Sequence, residues 1–177
     1  MKKNTEKIPN MSYYELLLLR RLRESFPTSI INLDDKAESF PPTEITLDFI
    51  KKRGDAAALA KEDNLKSGLS EMEADKVAMA ILYENFTFSM YETLVEVIDE
   101  EFSELWDVSD NEMQEFAKKL LLQKDKEIKE ITKKYTITDD FVDTEEFYNL
   151  RLELTGFIAD YAEKNGTNTW DIIKENI

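Results

Sequence analysis

Four times along the chain a serine stands three residues ahead of a glutamate, just before a run of apolar residues at helical spacing: Ser12/Glu15, Ser70/Glu73, Ser89/Glu92 and Ser109/Glu112. In such a pair the serine oxygen accepts from the backbone N–H three positions on, and the glutamate carboxylate reaches back to the serine N–H. Each pair closes two of the donors that a helix start leaves open. Repeated in 177 residues, the signature predicts an all-α protein, a single compact multi-helical domain of six to seven helices.

The elements follow from caps, breakers and periodicity. A first helix is expected over Ser12–Ser25, stopped by Phe26-Pro27, with Arg20, Arg21 and Arg23 near its C-terminal end, where the helix dipole favours cations. A second spans about Thr46–Lys66, with Leu47, Ile50, Ala57, Ala58 and Leu65 on one face and Gly68 as a left-handed C-terminal residue. Gly54 inside it weakens the helix by roughly 1 kcal/mol relative to alanine, so its use is a close helix–helix crossing beside Ala57 and Ala58. Further helices are expected over Glu71–Asn85, Met90–Asp107, Asp110–Tyr135 and Thr144–Lys164, with a short last one at Trp170–Glu175. Residues 1–10 read as a flexible lead-in and 11–177 as the helical domain, although the length also suits two very small domains. Residues 28–45, with Phe40-Pro41-Pro42, form a long loop. Ser29–Leu33 and Tyr135–Thr138 are β-branched enough for a minor two-stranded element.

Composition removes whole classes of chemistry. With no cysteine and no histidine, thiolate nucleophiles, serine–histidine catalysis, iron–sulfur clusters and ordinary zinc sites have no residues to build them. The four glycines form neither a phosphate-binding loop nor a dinucleotide fingerprint, and no calcium loop is present. The leucine run Leu16–Leu19 is cut by Arg20 and Arg21, far short of a membrane span, and the chain reads as cytoplasmic. No catalytic, cofactor-binding or metal-binding residue is assigned, and no cofactor is expected.

What remains is charge, and it is unevenly placed. The net −15 divides into +3 over residues 1–27, −2 over 28–68, −10 over 69–108, +1 over 109–138 and −7 over 139–177. On the helix from Met90, about 100° per residue gathers Tyr91, Leu94, Val95, Ile98, Phe102, Leu105 and Trp106 in one arc of about 120°. Glu92, Glu96, Asp99, Glu100, Glu104 and Asp107 fall opposite, with Glu101 beside them, and no basic residue of that helix interrupts. These seven acids are the candidate interaction face. The following helix carries Lys118, Lys119, Lys126, Lys129 and Lys133, placed to pair across the boundary between the two helices. The plainer alternative is that both are solvated outer faces.

The stretches Tyr13–Leu22 (YYELLLLRRL), Ala56–Ala60 (AAALA), Leu82–Ser89 (LYENFTFS) and Leu154-Thr155-Gly156 resemble an uncharacterised family of small acidic proteins of gut and oral Bacteroidales, often carried on conjugative transposons. The resemblance implies a helical fold and a mobile-element context, and it transfers no catalytic residue.

The leading functional expectation is a non-enzymatic accessory or protein-interaction protein of a mobile genetic element. An acidic DNA mimic of the anti-restriction type is the second, and a carboxylate-dependent enzyme the third. The partner is an unnamed protein; direct nucleic-acid binding is not expected at this net charge. The leucine-dense first helix is either central to the core or part of a homodimer contact.

Overall fold

The computed structural model describes residues 10–28, 43–106 and 109–165. Among them are seven α-helices: α1 (Tyr13–Ser25), α2 (Glu44–Lys66), α3 (Glu71–Leu82), α4 (Met90–Trp106), α5 (Asp110–Gln123), α6 (Asp125–Thr132) and α7 (Glu145–Lys164). A 3₁₀ turn, Phe141–Asp143, leads into α7. The all-α class expected from the serine–glutamate pairs is the class found, and the helices gather into two compact units, residues 1–87 and 88–177.

The helix starts are built as the sequence predicts. Complete capping boxes close α1 at Ser12, α3 at Ser70 and α5 at Ser109. At α4 the Ser89 hydroxyl accepts from the Glu92 N–H at 3.0 Å. Such caps contribute about 1 kcal/mol each. Thr43 and Thr144 cap α2 and α7 in the same manner, so α2 begins two residues before the expected Thr46.

In the first unit α2 packs between α1 and α3. Tyr14, Leu18, Leu19 and Leu22 of α1 meet Ile50 and Ala57 of α2 and Ala78 and Leu82 of α3 in one core. Gly54 is the close crossing foreseen for it, against Glu15 of α1. The buried stripe of α2 is Thr46, Ile50, Gly54 and Ala57, whereas Ala58 and Leu65 are exposed, because α1 approaches from a side set by the glycine. Gly68 takes φ +93° and ends α2 with two backbone bonds, Gly68 N–H to Leu65 C=O and Leu69 N–H to Asn64 C=O.

A polar cluster ties the three helices together. The Lys61 ammonium sits 2.8 Å from both Glu71 Oε1 and Asp75 Oδ1, and the Tyr14 hydroxyl donates to Asp75 Oδ1 at 3.3 Å. Two arginines then hold the chain beyond α3, which ends at Leu82 rather than Asn85. Arg53 donates to the carbonyls of Ile81 and Glu84, at 3.4 and 2.6 Å, and Arg21 to those of Phe86 and Thr87. Asn85 supplies the left-handed turn there with φ +66°, and Phe86 packs edge-on to Phe26 and Phe49. The stretch Leu82–Ser89 thus has a structural use at nearly every position.

The second unit surrounds its own core: Leu94, Val97, Ile98 and Phe102 of α4, Met113, Phe116, Ala117 and Leu120 of α5, Ile128 of α6, Phe141, and Leu150, Leu154 and Ile158 of α7. The single helix expected over Asp110–Tyr135 is in fact two, broken at Lys124 with φ −121° and ψ 24°. Ile128, four residues past the break, is buried in the same core. Tyr135–Thr138 forms no strand, and the segment expected to pair with it, Ser29–Leu33, lies outside the described residues. So do most of the 28–45 loop, the expected last helix at Trp170–Glu175 and the lead-in up to residue 9.

Candidate interaction face

The acidic face of α4 follows from helical spacing and from what lies beneath it. Leu94, Val97, Ile98 and Phe102 are buried, which turns the opposite side of the helix to solvent. Glu96, Asp99, Glu100, Glu101 and Glu104 are all exposed. Glu92, in the first turn, is half-buried, and its backbone N–H is taken by the Ser89 cap. Asp107 lies outside the described residues.

One feature departs from the sequence expectation. Arg151, from α7, pairs with Glu100, so a basic residue does reach the ridge, although from another helix. Its guanidinium also lies over the Phe147 ring, 5.9 Å from the centroid, which holds the side chain in place. The lysines of the α5–α6 segment pair locally: Lys118 with Glu115, Lys124 with Glu127, Lys129 with Asp125 and Lys133 with Glu130. The three- and four-residue spacing along the chain brings these partners within reach of one another.

Elsewhere in the unit Glu153 accepts from the Tyr135 hydroxyl at 2.7 Å and pairs with Lys134. Lys134 and Tyr135 hold its carboxyl below the usual carboxylate range. Burial and the Glu153 bond push the Tyr135 hydroxyl up to about 12. Among the described residues no group of three or more carboxylates is placed to hold a metal ion. No helix of the described residues is long and apolar enough to cross a membrane.

The family described as Domain of unknown function (DUF1896) matches residues 6–167. The chain belongs to that family. The DUF1896 match takes in α1 through α7, and so both units and the whole described acidic face. The crystal structure of protein PG0816 from Porphyromonas gingivalis is similar to this chain at 34% identity and a TM-score of 0.66. It covers 87% of this chain and 91% of its own, and its source is a member of the Bacteroidales. No curated protein matches this DUF1896 chain.

Sequence reasoning missed Arg151 as a neighbour of the ridge, because a contact 51 residues away along the chain leaves no local pattern. It also passed over Tyr148 and Leu152, both exposed on α7. Their signal was present: apolar residues at four-residue spacing opposite Leu150, Leu154 and Ile158 give this helix two apolar sides.

Proposed function

We propose that this protein is a non-enzymatic, cytoplasmic protein-interaction protein serving a mobile genetic element, and that it binds a protein partner through the outer face of α4. The observation that carries this reading is the exposure of Glu96, Asp99, Glu100, Glu101 and Glu104 on a helix whose other side is closed by the core. Surface carboxylates at this density attract a basic partner and raise its rate of encounter. The mobile-element setting rests on the resemblance of the quoted stretches. Affinity purification from the native host at low salt is expected to return a specific partner that elutes as salt rises, and an empty capture at low salt contradicts the proposal.

DNA mimicry is the second reading, favoured by spacing: acids along a helix rising ~1.5 Å per residue fall about 3–4 Å apart, near the phosphate repeat of one strand. Transformation of unmodified plasmid into a restricting host expressing the protein tests it. An increase in efficiency that disappears on neutralising Glu96, Asp99, Glu100 and Glu104 supports mimicry, and no increase removes it. For the carboxylate-dependent enzyme, no group of three or more carboxylates among the described residues is placed to hold a metal ion.

A further inference from the structure

The acidic ridge has an apolar neighbour. The buried side of α7 is Leu150, Leu154 and Ile158. At about 100° per residue, Tyr148, Leu152 and Ala159 lie some 120–160° round from that side, on the flank occupied by Arg151. Tyr148 is 62% exposed, Leu152 54%, and Val142, in the turn leading into α7, 51%. Arg151 joins this strip to the ridge, because it stands one helical turn from Tyr148 on the same flank and its guanidinium is bound to Glu100. Single exposed apolar side chains are ordinary on a protein surface. Here two large apolar side chains stand one turn apart beside a row of carboxylates.

We infer that the α7 strip and the α4 ridge form one docking surface for a basic amphipathic helix of another protein. That helix lays its apolar side on Tyr148 and Leu152 and sets its lysines or arginines along Glu96, Asp99 and Glu100. The inference rests on the reading of α4 as an interaction face and specifies its partner. Charge complementarity selects the occupant: a second copy brings the same −15, and nucleic acid carries the sign of the ridge itself. The recognition mode is helix on an apolar strip, with rim charges setting register and encounter rate.

The test is fluorescence anisotropy of a labelled Leu/Lys amphipathic peptide about five helical turns long, titrated with the full chain, beside a scrambled peptide of equal composition. The amphipathic peptide is expected to bind, and the scrambled one about tenfold more weakly or worse. Leu152→Ser, at an exposed position, is expected to weaken binding about tenfold with helicity unchanged by circular dichroism. Glu96→Gln with Asp99→Asn is expected to weaken it and flatten its salt dependence. Equal binding of the two peptides, indifference to Leu152→Ser, or a homodimer seen by light scattering that Leu152→Ser dissolves would each overturn the inference. If the peptide fails while a host partner is still lost on neutralising the ridge, this inference falls and the broader function stands. If capture of that partner ignores the ridge, the broader function falls.

Discussion

Gly54 of α2 lies against Glu15 of α1 so closely that a Cβ on the glycine would stand 2.9 Å from Glu15 Cγ and 3.3 Å from its backbone N. Glu15 cannot simply swing aside, because its carboxylate is held by the Ser12 N–H in the α1 capping box. Gly54→Ala is therefore predicted to destabilise the protein by about 1–3 kcal/mol despite the better helix propensity of alanine. Gly156 in α7 has nothing within 4 Å of the same added atom. Gly156→Ala is predicted to stabilise by about 0.5–1 kcal/mol. Urea melts of the two variants check the pair, and a Gly54→Ala protein as stable as the wild type contradicts the packing at the crossing.

The grip of Arg53 on the end of α3 makes a second prediction. Its guanidinium serves two carbonyls while lying over the rings of Phe49 and Phe86, at 5.5 and 5.6 Å. Lysine keeps the charge but loses the planar fork and its stacking. Arg53→Lys is predicted to cost about 1–2 kcal/mol in thermal or urea unfolding. A variant melting with the wild type shows that charge alone suffices.

Asn85 occupies the left-handed region in the same turn. Asparagine and glycine tolerate this conformation, whereas other side chains meet a penalty of roughly 1–2 kcal/mol. Asn85→Gly is predicted to leave stability nearly unchanged and Asn85→Ala to lower it by about 1 kcal/mol, both measurable by calorimetry.

These positions show where sequence reading succeeds and where it stops. Caps are local: Ser12 and Glu15, or Ser109 and Glu112, are three residues apart, and their chemistry sets the helix start whatever else the chain does. The need for a small residue at Gly54 was also readable, although its contact, Glu15, was not. Arg21 illustrates the limit. From sequence it serves the end of its own helix, where it does donate to Ser25, yet it also donates to carbonyls 65 and 66 residues away. The break at Lys124 carries no glycine or proline, so no local signal in the sequence marks it. The acidic side of α4 was legible because a charged face is a periodic property of one helix. That the α7 strip lies beside it was not, because adjacency between α4 and α7 is tertiary.

Stability should fall at both ends of the pH scale, through identifiable groups. Folding depresses the Glu153 carboxyl through Lys134 and then Tyr135, and the Asp75 carboxyl chiefly through Lys61. A depressed carboxyl contributes stability that is complete above its unfolded value and lost as pH falls through its folded one, so the acid loss lies at and below about pH 4. Folding raises the Tyr135 hydroxyl from 10.0 to about 12, chiefly through burial. A raised group keeps its contribution below the unfolded value and loses it as pH climbs toward the folded one, here between about pH 10 and 12. Tyr135→Phe is predicted to remove the Tyr135 part of the alkaline loss in a series of urea melts. An unchanged alkaline limb contradicts the assignment.

The most direct test of the acidic face is paired affinity capture from the native host at low salt, with the wild-type chain and a Glu96→Gln, Asp99→Asn, Glu104→Gln variant side by side. All three positions are exposed, so the variant is expected to fold as the wild type does, with matching circular dichroism. The predicted result is a partner retained by the wild type and lost by the variant. Retention of the same partner by both chains would contradict the assignment of α4 as the interaction face.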